Sequence, residues 1–309
     1  YREAATELIA QMDRSGVRKA ILLSPPSARR SAKTLPTFAD AAREIVRAHP
    51  NRLHFLGGGD TLNPMIQTLP AGKVTAEVRA QFTREAEAIL AQGARGFGEM
   101  TALHLALEEK HPFEEVAPDH PLFLLLADIA ARHDVPIDLH MDAVPEDMDF
   151  PDALERIRAL NPARLRGNQK AFVRLLAHNR KARIVWQHAG TDPVGGMTVE
   201  RLRELLGAHP NLYVGLRIPI ARARENHPWH NLPVDRDGQV RPDWLALFTD
   251  YPDRFVVGTD AFIQKGDDEG KGPRGGPQPF AAFAVVRTLP PDLAAKIGGE
   301  NASRLYRLK

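Results

Sequence analysis

The sequence contains no cysteine, which excludes disulfides, thiolate zinc sites and a thiol nucleophile. No apolar run approaches the roughly 20 residues that a membrane span needs, so no membrane is an expected partner. Charge of one sign is also missing: Lys+Arg of 41 against Asp+Glu of 39 leaves a net +2. The basic residues Arg14, Arg43, Arg79, Arg174 and Arg201 are scattered along expected helix faces, not gathered into a stripe with aromatics. A nucleic-acid partner is therefore not expected. No G-x-G-x-x-G opens the first strand–helix unit, which argues against a dinucleotide fold. The chain starts at Tyr1 and not at Met, so further sequence is expected upstream and the compartment stays open.

What is present is alternation. With 309 residues and 43% hydrophobic content the chain can bury a large core. Short apolar runs at 19–24, 52–57, 95–100, 135–142, 183–188, 212–217 and 254–260 read as strands. Amphipathic stretches at 3–15, 38–49, 75–92, 121–133, 167–179, 199–208 and 243–251 read as helices. Strand then helix, seven times over, means a parallel sheet covered by helices. Ser24, Asp60, Glu99, His140, His188, Arg217 and Asp260 fall at or near the C-terminal ends of successive strands, where a (β/α)8 TIM barrel builds its site. The expectation is an α/β fold, one TIM barrel over 1–309, with its first strand upstream of Tyr1 because only seven strands can be counted. A Gly/Pro-rich loop at 266–279 is expected to be mobile and to lie over the site.

The stretch 135–142, VPIDLHMD, is the most informative. A period of two puts Asp138, His140 and Asp142 on one face and Ile137, Leu139 and Met141 on the other. A plain core strand has no need of a histidine and two acids on one face. Histidine and aspartate arriving from different strands are ligands that zinc or manganese prefers, with an open position for water. Such water has a pKa lowered to roughly 7, which gives a nucleophile without Ser or Cys. His140 and Asp260 suit these roles. Asp138 reads as support beneath His140, and Asp142 as a residue of the rim.

The motifs LHMD around His140, QHAG around His188, GTDA around Asp260 and the closing IGGENASRLYRL together resemble the amidohydrolase superfamily. Within it the likeness is to the branch of small single-domain TIM-barrel metal-dependent hydrolases, which also includes decarboxylases. The resemblance covers nearly the whole chain. It implies that His140 is a metal ligand on the fifth barrel strand. It implies that His188, on the sixth, ligates metal or orients substrate and water, and that Asp260, on the eighth, is ligand and general base. The sequence departs from the family in one respect: members usually carry His-x-His on the first strand, and none occurs here. Further metal ligands are therefore expected upstream of Tyr1; without them, a barrel that binds without catalysing would be the better reading.

Glu99, Arg217, His104 and Trp229 are the candidates for substrate binding. Arg217 could fork a carboxylate or phosphate, or pair with an acid such as Asp138. Glu99 could instead bridge a second metal, and His227, Trp229 and His230 lie together in a loop that could shape a pocket. The implied function is a metal-dependent hydrolase, in which water on a divalent cation attacks the carbonyl of an amide, lactone or ester. Asp260 would act as base and then acid, and His188 would polarise the substrate oxygen. The alternative is a metal-dependent non-oxidative decarboxylase on the same barrel. Zinc is the default metal, with manganese also suited to a His/Asp set. The partner is a small-molecule substrate, and association into a homo-oligomer is open.

Overall fold

The computed structural model describes residues 2–27, 37–107, 112–217, 229–260 and 285–308. Seven parallel strands hydrogen-bond in sequence order: β1 (Ala20–Leu23), β2 (Leu53–Gly58), β3 (Phe97–His104), β4 (Pro136–Met141), β5 (Arg183–Ala189), β6 (Leu212–Arg217) and β7 (Phe255–Gly258). Helices Phe38–Ala48, Ala76–Ala91, Pro121–His133, Gln169–His178, Val199–Ala208 and Pro242–Asp250 make the crossovers. This is the sequential parallel α/β arrangement of a TIM barrel, as the alternation predicts. The sheet is curled into a half-barrel. Leu56, Val185 and Val256 share one buried cluster with Leu305 and Tyr306, and Ile21, Leu23 and Tyr213 pack against it, so the two edge strands face a common interior. Among the described residues, β1 and β7 are the edges of the sheet and do not bond to one another. No described helix is long and apolar enough to cross a membrane. The loop 266–279, whose mobility over the site is expected from its composition, lies outside the described residues, as does His227.

The outer core lies between the sheet and the helices and takes the alternate side chains of each strand. Ile137, Leu139 and Met141 of β4 join it, along with Phe97, Trp186 and Val214. Burying side chains of this size stabilises by roughly 1.5–3 kcal/mol each. The period of two predicted for β4 is therefore observed: its apolar face packs outward, and Asp138 and His140 face the barrel interior. Helix starts are fixed locally. At Phe38–Ala48, for example, Thr37 accepts from the Asp40 N–H and Asp40 accepts from the Thr37 N–H, a reciprocal cap. Asp60 spends its carboxylate on the same helix, accepting from Phe38 N at 2.7 Å. It acts as a brace for that helix's first turn.

Two details depart from the alternation. β3 runs on to His104, four residues past the expected end at Met100, because the two-residue strand Glu114–Glu115 pairs antiparallel with Leu103 and His104. Glu99 therefore sits within the strand, not near its end. The register also slips by one residue between Phe97 and Met100 and between Thr101 and Leu103 of β3, and again between Trp186 and Ala189 of β5. A slip of this kind places two consecutive residues on one face. Gly98 and Glu99 both serve the interior, as do Gln187 and His188.

His54 on β2 is buried, and its Nε2 has no hydrogen-bond partner among the described residues. Burial lowers its pKa, and the nearby Arg95 and Lys19 lower it further. A histidine with a depressed folded-state pKa contributes stability that is complete above its unfolded value, near 6.5, and is lost as the pH falls below it. Replacing His54→Phe should therefore shrink the loss of stability between pH 7.5 and pH 5. Urea denaturation at both pH values measures it, and parallel losses in wild type and variant would contradict the assignment.

Candidate metal centre

Glu99, His140 and His188 come from three neighbouring strands and meet inside the barrel at its C-terminal end. Glu99 Oε1 lies 2.9 Å from His140 Nδ1 and 2.7 Å from His188 Nε2. One donor atom from each residue lies within 4.8 Å of the others, the spacing at which a single cation can be shared. The two imidazole centroids are 4.5 Å apart. The slips at Glu99 and at His188 are needed for this: without them, Glu99 or His188 would point into the outer core. His188 further adopts a left-handed backbone, φ +70°, as does Asp260 at φ +47°. Such conformations cost a non-glycine residue on the order of 1–3 kcal/mol and concentrate where function requires them.

The electrostatics call for positive charge. Burial alone would lower the pKa of His140, but the neighbouring Asp142 and Glu99 carboxylates more than reverse that and push it up to about 10. Burial alone would raise Glu99, yet the charges of the two imidazoles hold it well below the usual carboxylate range. Positive charge beside these carboxylates is thus favoured, and a bound cation would supply it. Two imidazoles and a carboxylate, all mostly buried, are a donor set that fits a divalent metal, and both zinc and manganese accept it.

The other expected residues surround this group at different distances. Asp260 Oδ2 pairs with Arg217 Nη1 at 3.0 Å and lies 3.9 Å from His188 Nδ1. Arg217 therefore pairs with Asp260 and not with Asp138. Asp138 is instead held by the Tyr306 hydroxyl and the Gln187 amide, both at 2.7 Å. Burial pushes Asp138 up to about 8, against the opposing bond from Tyr306. Its role as support one layer below His140 matches the expectation. His104 stacks beside His140, ring centroids 4.8 Å apart, with Nδ1 at 3.1 Å from Pro112 O. Burial, then the charge of His140, lowers its pKa to about 4, so its imidazole is neutral. Trp229 is buried, next to the bridge between Asp192 and His230. It does not line the pocket that holds His140 and His188.

Asp142 is not a rim residue. Its Oδ2 accepts from Leu105 N at 2.8 Å and its Oδ1 lies 3.7 Å from His140 Nε2, so it turns inward against the imidazole. The period of two already placed it on the face of His140. Gln187, Thr191, Asp192 and Met197, which line the same pocket, carry no signal of that kind. They lie at a register slip or in a loop, where sequence periodicity is silent.

The sequence profile described as amidohydrolase matches residues 8–308. No curated protein matches the sequence. Among solved structures, the chain is similar to a probable 2-pyrone-4,6-dicarboxylic acid hydrolase from Acinetobacter baumannii with citric acid bound: 14% identity over 98% of this chain and 88% of that one, TM-score 0.53. It is similar to a 5-carboxyvanillate decarboxylase from Sphingomonas paucimobilis, at 16% identity over 98% and 83% of the two chains, TM-score 0.52. A third likeness is to a dihydroxybenzoic acid decarboxylase from Polaromonas with bound manganese and the inhibitor 2-nitroresorcinol, at 16% identity over 98% and 85%, TM-score 0.53. At such identities these likenesses establish the fold.

Glu99→Gln keeps the shape of the side chain and removes its charge. Affinity for Mn2+, followed by its electron paramagnetic resonance, should drop at least roughly 10–100-fold. Equal affinity in wild type and variant would remove Glu99 from the centre.

Proposed function

We propose, from the premise that this chain belongs to the amidohydrolase family, that it is a metal-dependent hydrolase of a small molecule bearing an amide, lactone or ester carbonyl. The single observation that carries the reading is the carboxylate oxygen of Glu99 shared between His140 and His188 at 2.9 and 2.7 Å. A divalent cation, zinc or manganese, held by these residues would lower the pKa of a water to about 7 and polarise a carbonyl. Without the cation Glu99 holds both imidazoles through one carboxylate oxygen, and with it Glu99 would be a ligand beside them. Asp142 restrains His140 from its other nitrogen. Asp260 is assigned as the proton acceptor and as a further ligand, and its carboxylate is held at the edge of the centre by Arg217. His188 faces the substrate oxygen, and its Nδ1 lies on the Asp260 side. Arg217, with a partly exposed guanidinium, is assigned to a substrate carboxylate. His104, beside His140, is assigned to the rest of the substrate, and Trp229 is not, since it does not line the pocket.

A second reading, a non-oxidative decarboxylase, uses the same centre. It is favoured by Arg217 beside the centre and by the decarboxylases among the proteins of similar fold. The two differ in what solvent contributes. Turnover of lactones, esters or amides in 18O water should place one solvent oxygen in the product; turnover of aryl carboxylates alone, with release of CO2 and solvent hydrogen on the freed carbon, would replace the hydrolase reading with the decarboxylase one.

His140→Ala and Asp260→Asn should each lower turnover by about 10²–10⁴ or more while the far-ultraviolet circular dichroism stays native, since residues at the C-terminal face serve function more than stability. Wild-type turnover in either variant would overturn the assigned roles.

A further inference from the structure

The segment after His188, TDPVGGM at 191–197, is built as a rigid wall of the pocket. Asp192, itself 3% exposed, gathers four donors: Oδ1 accepts from Val194 N at 3.2 Å and Gly195 N at 2.8 Å. Its Oδ2 accepts from Met197 N at 2.7 Å and Asn231 Nδ2 at 2.8 Å. The Asp192 carbonyl also accepts from His230 N at 2.9 Å, so the segment is tied to the chain that follows β6. Two glycines let it pass close to its neighbours. A Cβ on Gly196 would lie 2.2 Å from Ala143 O, just beyond β4, and one on Gly190 would lie 2.6 Å from Arg217 O. The wall is thus locked against the ends of β4 and β6 at once. Thr191, Asp192, Pro193 and Met197 line the same pocket as His140 and His188, whose cavity volume among the described residues is about 10 Å³. That is small beside the usual 300–1,000 Å³ of a ligand pocket.

We propose that Met197 is a specificity-determining residue that limits substrate size at this centre, and that Asp192 is the positioning residue that holds it there. The proposal rests on the metal-centre reading for where substrate sits, while the locking of the wall stands without it. In Asp192→Asn one oxygen becomes an NH2 group, which cannot accept from the two donors on that side, so two of the four bonds are lost whichever way the amide turns.

The test uses the metal-loaded full chain, with acetohydroxamate and 2-naphthohydroxamate as small and bulky metal-directed probes, and follows amide exchange in the wall. Wild type should bind the small probe more tightly than the bulky one. Met197→Ala should narrow that ratio about tenfold, with metal content unchanged. Asp192→Asn should narrow it as well and speed exchange about tenfold or more either at Val194 and Gly195 or at Met197, according to which oxygen is replaced. An unchanged ratio in Met197→Ala at full metal content overturns the size limit, and unchanged exchange in Asp192→Asn overturns the positioning role. Failure of the metal reading shows separately, as a wild-type chain that binds neither metal nor probe; amide exchange then still decides the role of Asp192.

Discussion

One carboxylate oxygen, Glu99 Oε1, lies within hydrogen-bonding distance of imidazoles from two other strands, at 2.9 Å from His140 and 2.7 Å from His188. A buried carboxylate is tolerated only when it is paired, and removing one partner from such a group typically costs about 3–5 kcal/mol. The sheet meets this demand by slipping its register at Glu99 in β3 and at His188 in β5, so that both turn inward out of turn. His140 needs no slip, because its strand keeps strict alternation and Asp142, two residues on, closes on its other nitrogen.

The layer beneath the centre is polar as well, and for a related reason. Asp138 lies within a low-dielectric interior, where burial keeps its proton on up to about pH 8 and the Tyr306 hydroxyl and Gln187 amide satisfy it. Small residues make the room: a Cβ on Gly215 would lie 1.9 Å from Gln187 Oε1, and one on Gly98 would lie 2.9 Å from Asp138 Cβ. The C-terminal helix end thereby reaches the middle of the barrel. The β4 backbone under His140 is fixed from below by Asp138, just as His140 is fixed from the sides by Glu99 and Asp142. The outer core holds the strands in place, and these few polar contacts hold the imidazoles at the angles a cation would need.

Much of this was legible in residue patterns. Hydrophobic alternation located all seven strands of the barrel sheet, and the histidines stood out because three separate strand ends deliver His, His and Asp, where a lone strand-end histidine is more often structural. The inward face of β4 followed directly from a period of two. What was not legible came from contacts distant in sequence. Glu99 looked like a strand-end residue, because the pairing of Glu114–Glu115 with Leu103 and His104 leaves no mark on the run RGFGEM. Arg217 could not be assigned a partner, and it chose Asp260 over Asp138 because Tyr306, 168 residues away in sequence, already occupied Asp138. Asp192 was invisible, since a loop aspartate before proline reads as an ordinary turn: three of its bonds close on its own loop, and the fourth, from Asn231, exists only once the segment 229–231 folds back beside it.

The central claim is that Glu99, His140 and His188 hold one divalent cation. Anomalous diffraction from crystals of the manganese- or zinc-loaded protein tests it most directly. The account predicts a peak at roughly 2.0–2.2 Å from a ring nitrogen of His140 and of His188 and from a Glu99 carboxylate oxygen. A fully occupied metal peak elsewhere, with the Glu99–imidazole bonds still intact and no ion between them, would contradict it.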